Sequence, residues 1–244
     1  MRKSKNLFKL TLVILIIGVA ACAYNENSPP IEADYNTLSI NGLENLVINA
    51  ISPNMRVGDI VRFGNYNWRA LAVQDGQALL LMERIWDFRP FHRTGGDIIW
   101  QNSSLRRELN NEFLNSFSEE DRAKIIRTQN SNPNNPWYNT IGGNDTEDYI
   151  FVLSLEELVK YFGDSGQLRN RPEYVAFWIS DQYNDSRIAY DENGVASFWW
   201  LRSPGFDNRR AVDVTSFDGS VIMYGNGVVD HGSGVRPALW VNIF

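Results

Sequence analysis

The sequence predicts an α+β fold in which strands form both ends of the chain and helices lie between them. Three observations support this class. Short β-prone runs separated by turn residues occupy 57–82, helical periodicity marks 105–162, and β-prone runs return after residue 187. Because strands and helices are grouped and do not alternate along the chain, we do not expect a parallel sheet built from βαβ units.

Three β-prone runs form the predicted N-terminal meander, namely Val57–Phe63, Trp68–Val73 and Ala78–Met82. Gly64-Asn65 separates the first two runs, and Asp75-Gly76 separates the second two. Asp-Gly between two apolar runs is a strong hairpin signal. We therefore expect three neighbouring antiparallel strands from this segment.

Helical patterns occupy the middle of the chain. One apolar face repeats every four residues, at Leu105, Leu109, Phe113 and Phe117. Ser118, which precedes three acidic residues, predicts the start of a second helix, and Ser154 with Glu157 forms a capping-box pattern ahead of a third. The third helix has apolar residues at positions i, i+3, i+4 and i+7 and a glycine stop, namely Leu155, Leu158, Val159, Phe162 and Gly163.

The segments around the third helix are predicted from turn residues and apolar runs. Residues 129–148 read as a long loop, Tyr149–Leu153 as a strand, and the stretch from Pro172 through Trp178 as a short helix. The last third of the chain predicts five β-prone runs, in the order Arg187–Tyr190, Val195–Leu201, Ala211–Ser216, Ser220–Tyr224 and Val235–Ile243.

The first residues predict a targeting signal. Four basic residues precede an apolar run, Leu10–Ala21, which is shorter than the roughly 20 residues of a membrane-spanning helix. Val19-Ala20-Ala21-Cys22 resembles the lipobox of bacterial lipoproteins. That resemblance implies cleavage before Cys22 and attachment of a diacylglyceryl group to its thiol. An uncleaved anchor with an incidental Cys22 is the alternative.

The lipobox divides the chain into three parts. Residues 1–21 are the expected signal peptide, residues 22–36 the lipidated Cys22 and a flexible tether, and residues 37–244 a single α+β domain with its core at about 55–244. Loss of residues 1–21 removes four basic and no acidic residues, which takes the net charge from −6 to −10. We therefore expect an extracytoplasmic protein that its lipid holds on the cell membrane or the outer membrane.

Composition excludes several classes of protein. One Cys cannot form an intrachain disulfide or a Cys-based zinc site, and His92 and His231 cannot supply a three-His metal centre. The acidic balance argues against a nucleic-acid partner, because such binding depends on Lys and Arg at phosphates. We also find no nucleophile-elbow or phosphate-loop motif.

Two segments carry a resemblance to a known family, Phe198-Trp-Trp-Leu-Arg-Ser-Pro-Gly205 and Gly234-Val-Arg-Pro-Ala-Leu239. With shorter matches at 58–61, 68–69, 142–146 and 161–165, they resemble a bacterial domain family of unknown function that is common in secreted and surface proteins. The resemblance implies that this domain covers about 55–244, and it implies no activity.

The C-terminal pattern is also distantly similar to the C-type-lectin-like fold, which includes the formylglycine-generating enzyme. The similarity rests on a Trp-rich strand, a variable loop, a Gly-rich hairpin and a Gly-Val-Arg closing strand. It implies small twisted antiparallel sheets with a few helices and long ligand-binding loops. The enzyme's Cys pair and the three-His iron site of ergothioneine-type relatives are both missing from this sequence.

Trp199, Trp200 and Arg202 are the first ligand-binding candidates. Neighbouring side chains of a strand point to opposite faces, so one Trp is expected in the core and the other outside, where it would stack on a ligand. Burial of both beneath loops is the alternative. Arg202 is interpreted mainly as a residue that ties down loop carbonyls or a carboxylate, and Arg236 as a structural arginine.

Two loops supply the other candidates, because binding residues concentrate on loops above a rigid scaffold. The loop at 206–210 contributes Asn208, Arg209 and Arg210, and the Gly-rich stretch at 225–234 contributes Asn226, Asp230 and His231. The two neighbouring arginines suit an anionic group on a ligand. Solvated turns are the alternative interpretation.

A third, Gly-rich loop at 142–148 contains the candidate Ca²⁺ ligands Asn144, Asp145 and Asp148. Ca²⁺ takes roughly six to eight oxygen ligands, which such a cluster could supply in part. The alternative is a loop of Asx turns that caps the strand predicted at Tyr149. No other cofactor is expected.

Together these features predict a membrane-anchored extracytoplasmic bacterial lipoprotein whose domain binds a glycan or protein ligand without catalysis. One rival hypothesis is a surface hydrolase that uses loop carboxylates, for which a carboxylate pair about 5–10 Å apart would be the signature. Another is a structural envelope protein without a small ligand. The sequence leaves these classes open.

The lipid anchor is tested by substituting its attachment residue. We expect Cys22→Ser to abolish acylation and membrane retention, because no other residue carries a thiol. Fractionation of cells into membrane, detergent and aqueous phases measures the effect. A Cys22→Ser protein that still partitions with membranes and detergent would overturn the lipobox prediction.

Overall fold

The computed structural model describes residues 49–174 and 177–244, and these belong to one unit of the chain, Val47–Phe244. The predicted signal peptide, Cys22 and the tether lie outside the described residues. None of the helices in the described ranges is long and apolar enough to cross a membrane.

Short strands provide most of the regular structure. Over the described residues they are, in chain order, β1 Asn49–Ala50, β2 Ile60–Phe63, β3 Tyr66–Gln74, β4 Gln77–Met82, β5 Asp87–Phe88, β6 Ile125–Ile126, β7 Thr128–Asn130, β8 Thr146–Asp148, β9 Trp178–Ile179, β10 Ala189–Tyr190, β11 Ala196–Ser197, β12 Trp199–Pro204, β13 Arg210–Val214, β14 Val221–Gly227, β15 Gly234–Val235 and β16 Ala238–Asn242.

The α-helices of the described residues are short. They are α1 Ser104–Glu108, α2 Glu119–Lys124, α3 Leu155–Phe162 and α4 Asn184–Arg187. Irregular helical turns occupy Trp100–Asn102, Leu109–Phe113 and Leu114–Ser116. This mixture of grouped helices and antiparallel strands confirms the predicted α+β class.

Two six-stranded sheets carry the fold. The first has the order β1-β2-β3-β4-β16-β6 and the second the order β5-β15-β12-β13-β14-β9, while β7-β8 and β10-β11 form separate ribbons. The pairs β1-β2 and β12-β15 are parallel, and the remaining pairs are antiparallel. The predicted meander is confirmed by the hairpins β2-β3 and β3-β4, in which Phe63 lies opposite Tyr66 and Gln74 opposite Gln77.

The closing segment Gly234–Asn242 joins the two sheets. β15 pairs with β12 and β5 in the second sheet, and three residues later β16 enters the first sheet between β4 and β6. Gly234 is required by close approach, because a Cβ atom there would lie 2.6 Å from Ile85 Cγ2 and 3.0 Å from the carbonyl oxygen of Phe198.

The predicted apolar face of the first helical segment is buried, but the segment is not regular α-helix throughout, since its type changes after Glu108. Leu105, Leu109, Phe113 and Phe117 are all less than 5 % exposed. A π-helical turn follows α1, and the side chain of Asn110 bonds there with backbone groups of two segments, donating to the carbonyls of Arg106 (3.0 Å) and Ile150 (2.7 Å). Such side-chain bonds compete with the regular helical ladder.

The third helix begins and ends as predicted. Ser154 Oγ accepts from the N–H of Glu157 (3.2 Å), and Glu157 Oε2 accepts from the N–H of Ser154 (2.8 Å), which completes the capping box. Gly163 ends α3 with φ of 119°, in the region that favours glycine.

Three local predictions are wrong because tertiary pairing overrides local pattern. The segment at 129–148 contains the end of β7 and all of β8, which pair with each other. Tyr149–Leu153 is not a strand, since it has a single bridge, from Phe151 to Ala238. The described residues between Pro172 and Trp178, which exclude 175–176, form no helix, and Trp178 instead begins β9, which forms ladder hydrogen bonds with β14.

Aromatic side chains fill the space between the first sheet and the first helical segment. The ring of Phe113 lies at the centre of this cluster, with centroid distances of 4.5 Å to Trp86, 5.2 Å to Tyr66 and 5.4 Å to Phe117. Tilted and edge-on pairs at these separations add to the stabilisation that apolar burial gives.

Arg202 fastens the central strand of the second sheet to its surroundings. Its guanidinium group donates to the carbonyls of Val152 (2.8 Å) and Ser131 (3.1 Å) and to Asn132 Oδ1 (3.2 Å). It also forms a two-pronged ion pair with the Glu157 carboxylate, including Nη2 to Oε1 at 2.9 Å. The interpretation of Arg202 as a tie to loop carbonyls and a carboxylate is therefore confirmed.

The Arg202–Glu157 pair makes a testable contribution to stability. Glu157→Gln keeps a capping oxygen but leaves the buried guanidinium without its counter-charge, so we expect a loss of about 3 kcal/mol in the free energy of unfolding. Urea denaturation followed by circular dichroism measures it. The exposed neighbour Glu156, changed to Gln, is the matched control, and equal effects of the two substitutions would contradict this role.

Candidate ligand-binding surface

Both tryptophans of the Trp199-Trp200 pair are buried, with relative exposures of 0 %. The indole N–H of Trp199 donates to the Arg187 carbonyl (3.0 Å), and that of Trp200 donates to the Arg89 carbonyl (2.9 Å). The structure therefore has the arrangement in which both rings lie beneath other segments, and the expectation of an outward-facing Trp is corrected. Their position on β12, with loops and helices packed on both faces, explains this burial.

The open end of the β13-β14 hairpin brings the two predicted loops together. Arg210 lies opposite Gly227, and the Val228 N–H donates to the carbonyl of Arg209 at 3.0 Å. Gly225 permits a close approach here, since its φ is +77° and a Cβ atom would lie 2.6 Å from the Ala211 carbonyl oxygen. The structure thus places 206–210 beside 225–231.

The polar candidates on these loops have different roles. Asn208 Nδ2 donates to the carbonyl of Ile141 (2.9 Å), which joins the loop to the segment at 131–145. Arg209 is exposed and lies between Asp207 (3.0 Å) and Asp97 (4.0 Å). Asp230 and His231 are exposed on the Gly-rich stretch, where Asp230 Oδ1 accepts from the Gly232 N–H at 2.7 Å.

Next to this hairpin end lies a cluster of aromatic side chains that we call the aromatic platform, formed by Tyr138, Phe177, Trp178, Phe206 and Tyr224. The rings of Phe206 and Tyr224 are stacked, with centroids 5.1 Å apart and planes 21° apart. Tyr138 meets Phe206 edge-on at 5.2 Å, and Phe177 meets Tyr224 edge-on at 5.3 Å. Trp178 continues the cluster, 6.3 Å from Phe177.

Much of the platform is open to solvent. Phe206, Trp178 and Phe177 are 49 %, 48 % and 46 % exposed. Single exposed aromatic side chains are ordinary on protein surfaces, but contiguous ones mark interaction sites. The mutual contacts and the exposure together define a surface on which a ligand with flat apolar faces can stack.

Cationic groups border the platform. The guanidinium carbon of Arg210 lies 4.5 Å from the ring centroid of Tyr224, and that of Arg171 lies 5.3 Å from the centroid of Tyr138. Both distances are within the range of cation–π attraction. Arg210 also donates from Nη1 to the Gly225 carbonyl at 3.4 Å. The predicted residue Arg210 is therefore part of this surface.

The loop that carries Tyr138 is held in place by side-chain hydrogen bonds. Asn135, which is fully buried, donates to the carbonyls of Pro204 (2.8 Å) and Met223 (3.1 Å). Thr140 Oγ1 donates to the Phe206 carbonyl at 2.7 Å. These bonds fix Tyr138 against the stacked pair before any ligand binds.

Sequence reasoning identified part of this surface and missed the rest. The loop at 206–210 and the stretch at 225–234 were predicted to face a ligand, but Tyr138, Phe177, Trp178 and Tyr224 were not among the candidates. The available signal was two pairs of adjacent aromatic residues, Trp137-Tyr138 in a polar segment and Phe177-Trp178.

Asn226, another candidate, contacts a buried acid. Its Nδ2 donates to Asp213 Oδ2 at 2.5 Å, while Asp213 Oδ1 has no hydrogen-bond partner among the described residues. Burial raises the pKa of Asp213 to about 7, and the charge of Asp230 acts in the same direction, while the bond from Asn226 opposes it. Asn226 therefore supports a buried carboxyl group in this conformation.

The predicted Ca²⁺ loop is organised by protein contacts. Asp148 is buried, and it accepts hydrogen bonds from Arg106 Nε (2.6 Å), Thr146 Oγ1 (2.7 Å) and Trp100 Nε1 (3.1 Å). Asp145 Oδ1 accepts from the Asn132 N–H at 3.2 Å, and Asn144 and Asp145 are exposed. Over the described residues, no three His, Cys, Asp or Glu side chains cluster so as to hold a metal ion.

Comparison with known proteins identifies the family. The profile of the domain of unknown function DUF6273 matches residues 75–243, which is more than half of the chain. The chain therefore belongs to this family, and the match begins later than the expected boundary near residue 55. No curated protein matches the chain significantly. No solved structure matches it significantly either.

The buried Asp213 predicts a pH-dependent term in stability. Its pKa is raised from 3.8 to about 7 on folding, so the folded chain holds this proton more tightly than the unfolded chain. Stability is therefore lost as pH rises from about 4 through 7 and levels off above that, by up to about 4 kcal/mol for this group.

The corresponding variant is Asp213→Asn, which stays neutral at every pH and still offers an oxygen to Asn226. Urea unfolding at pH 4.5 and pH 7.5 compares it with the wild-type chain. We expect the loss of stability between the two pH values to be smaller in the variant. An identical loss in both proteins would show that Asp213 does not titrate in this range.

Proposed function

We propose that this protein is a membrane-anchored extracytoplasmic bacterial lipoprotein whose DUF6273 domain is a non-catalytic glycan-binding module. The observation that carries the proposal is the aromatic platform, a contiguous set of half-exposed rings with Arg210 stacked on its edge. In this proposal the ligand stacks on the exposed rings of the platform, Phe206, Phe177 and Trp178, and Tyr224 supports Phe206 from beneath.

The chemistry of the platform suits a carbohydrate. Sugar rings have apolar faces of C–H groups and a periphery of hydroxyl groups. The exposed faces of Phe206 and Trp178 offer apolar contact, and the guanidinium of Arg210 offers donors at the periphery. Few polar groups placed around an apolar surface are typical of sites that orient a small ligand.

The arrangement also keeps the cost of binding low. Tyr138 is positioned by the loop contacts of Asn135 and Thr140, and Tyr224 lies between Phe206, Phe177 and Arg210. Because these rings are already ordered, a ligand does not have to immobilise them, and less conformational entropy is lost on binding.

The anchor and the fold complete the proposal. Lipid attachment at Cys22, followed by the tether at 22–36, would hold the domain at the surface of a membrane, where envelope glycans lie. We also propose that the fold is C-type-lectin-like. Two small, mostly antiparallel sheets with few helices and long loops support this.

The function is tested by removing one ring of the platform. We expect Phe206→Ala to weaken glycan binding at least about tenfold, because it deletes half of the stacked pair. The full chain in detergent micelles is applied to glycan arrays, and dissociation constants for the glycans retained are measured by calorimetry.

Phe217→Ala is the matched control, since Phe217 is 84 % exposed on the turn between β13 and β14, at the other end of the same hairpin. It is expected to leave binding unchanged. Glycan binding that survives Phe206→Ala, or that falls equally in both variants, would reject the platform as the site. Capture of proteins but of no glycan would replace the glycan with a protein ligand.

A further inference from the structure

A concave site lies elsewhere in the domain and shares no residue with the aromatic platform. This cavity has a volume of about 470 Å³ and is bounded by β3, the end of α3 and the segment around α4. Its size falls within the roughly 300–1,000 Å³ of small-molecule sites. Apolar side chains form much of its wall, including Leu71, Phe162 and Ile188.

Arg236 lines this cavity and is itself buried, with 3 % of its surface exposed. Its Nε donates to the Met82 carbonyl (2.8 Å) and its Nη2 to the Glu83 carbonyl (3.4 Å). Its Nη1 is buried and has no hydrogen-bond partner among the described residues. The guanidinium carbon lies 5.2 Å from the ring centroid of Trp199.

No carboxylate in the described part of the chain forms an ion pair with Arg236. Glu83 accepts a hydrogen bond from Arg236 through its backbone carbonyl, but both of its carboxylate oxygens bond to Arg69, at 2.9 Å and 2.5 Å. Burial lowers the pKa of Arg236 to about 10, against the opposing charge of Glu83, so the group is still cationic at neutral pH. A buried cation without a counter-charge is costly unless something pairs with it.

We propose that this cavity binds the carboxylate of a small apolar organic acid, with the acid group paired to Arg236 and the apolar part against Leu71, Phe162 and Ile188. A carboxylate supplies the acceptor that Nη1 lacks. Glu83 and Asp185 also line the cavity, but Glu83 is paired with Arg69 and neither forms an ion pair with Arg236. Guanidinium groups pair with carboxylates through short, charge-assisted hydrogen bonds. The apolar walls select acids with a hydrocarbon part.

The test uses the full chain in detergent micelles with two pairs of probes, each pair differing only in the acid group. The pairs are benzoate with benzamide and N-acetyl-leucine with N-acetyl-leucinamide, and ligand-detected NMR measures affinity. We expect at least one acid to bind with a dissociation constant of about 1 mM or lower, and its amide to bind at least about tenfold more weakly.

Two variants locate the binding. Val57→Trp places a large ring on the exposed rim of the cavity and is expected to weaken binding of the acid at least about tenfold. Val195→Trp, a substitution of another exposed valine that does not line the cavity, is the matched control and is expected to leave binding unchanged. Arg236→Lys replaces the forked guanidinium with a single ammonium group and is expected to weaken binding of the acid.

The outcomes separate clearly. Binding of benzoate alone indicates a free small acid, and binding of N-acetyl-leucine alone indicates the C-terminal carboxylate of a peptide, and both support the site. The proposal is overturned if neither acid binds at about 10 mM, if acids and amides bind equally, or if Val57→Trp has no effect. Because the aromatic platform takes no part, loss of glycan binding leaves this result unaffected.

Discussion

The arrangement of the second sheet and its loops depends on the hydrogen bonds and the ion pair that the buried guanidinium of Arg202 forms. It joins β12 to the capping box of α3 through Glu157 and to the loop after β7 through Ser131 and Asn132. That loop continues to Asn135, which bonds to the carbonyls that follow Arg202 and that precede Tyr224. One side chain in the middle of a strand therefore helps to position the loop that carries Tyr138 on the aromatic platform.

Arg202, Arg187 and Arg236 are buried arginines in the described part of the chain, and their partners differ. Arg202 is paired with Glu157, and Arg187 with Asp181 at 3.0 Å. Arg236 bonds only to backbone carbonyls and lies against aromatic rings. Burial of a charge is tolerated when an opposite charge compensates it, so ion pairs within the fold account for the burial of Arg202 and Arg187. The third is the one that lines an open cavity, and that difference is the physical basis for assigning a ligand to it.

The sequence predicted features that depend on neighbouring residues and missed those that depend on distant ones. The Asp75-Gly76 hairpin and the capping box of Ser154 and Glu157 are local, and both are found as expected. The apolar face from Leu105 is buried as predicted, but the π-helical turn after Glu108, where Asn110 bonds to the carbonyl of Ile150, is a feature that periodicity does not reveal. The candidate site follows the same rule. The adjacency of 206–210 and 225–231 follows from a hairpin, whereas the platform needs the loop that carries Tyr138 and the strand β9 to meet that hairpin.

We propose above all that the rings of the aromatic platform bind a glycan. The most direct measurement is the aromatic ¹H–¹³C NMR spectrum of the full chain during titration with oligosaccharides of N-acetylglucosamine, galactose and mannose. We expect at least one oligosaccharide to shift the ring signals of Phe206 and Tyr224 and to leave those of Phe217 and the buried Trp199 unchanged. Saturable shifts confined to rings outside the platform, or no shifts with any of the three, would contradict it.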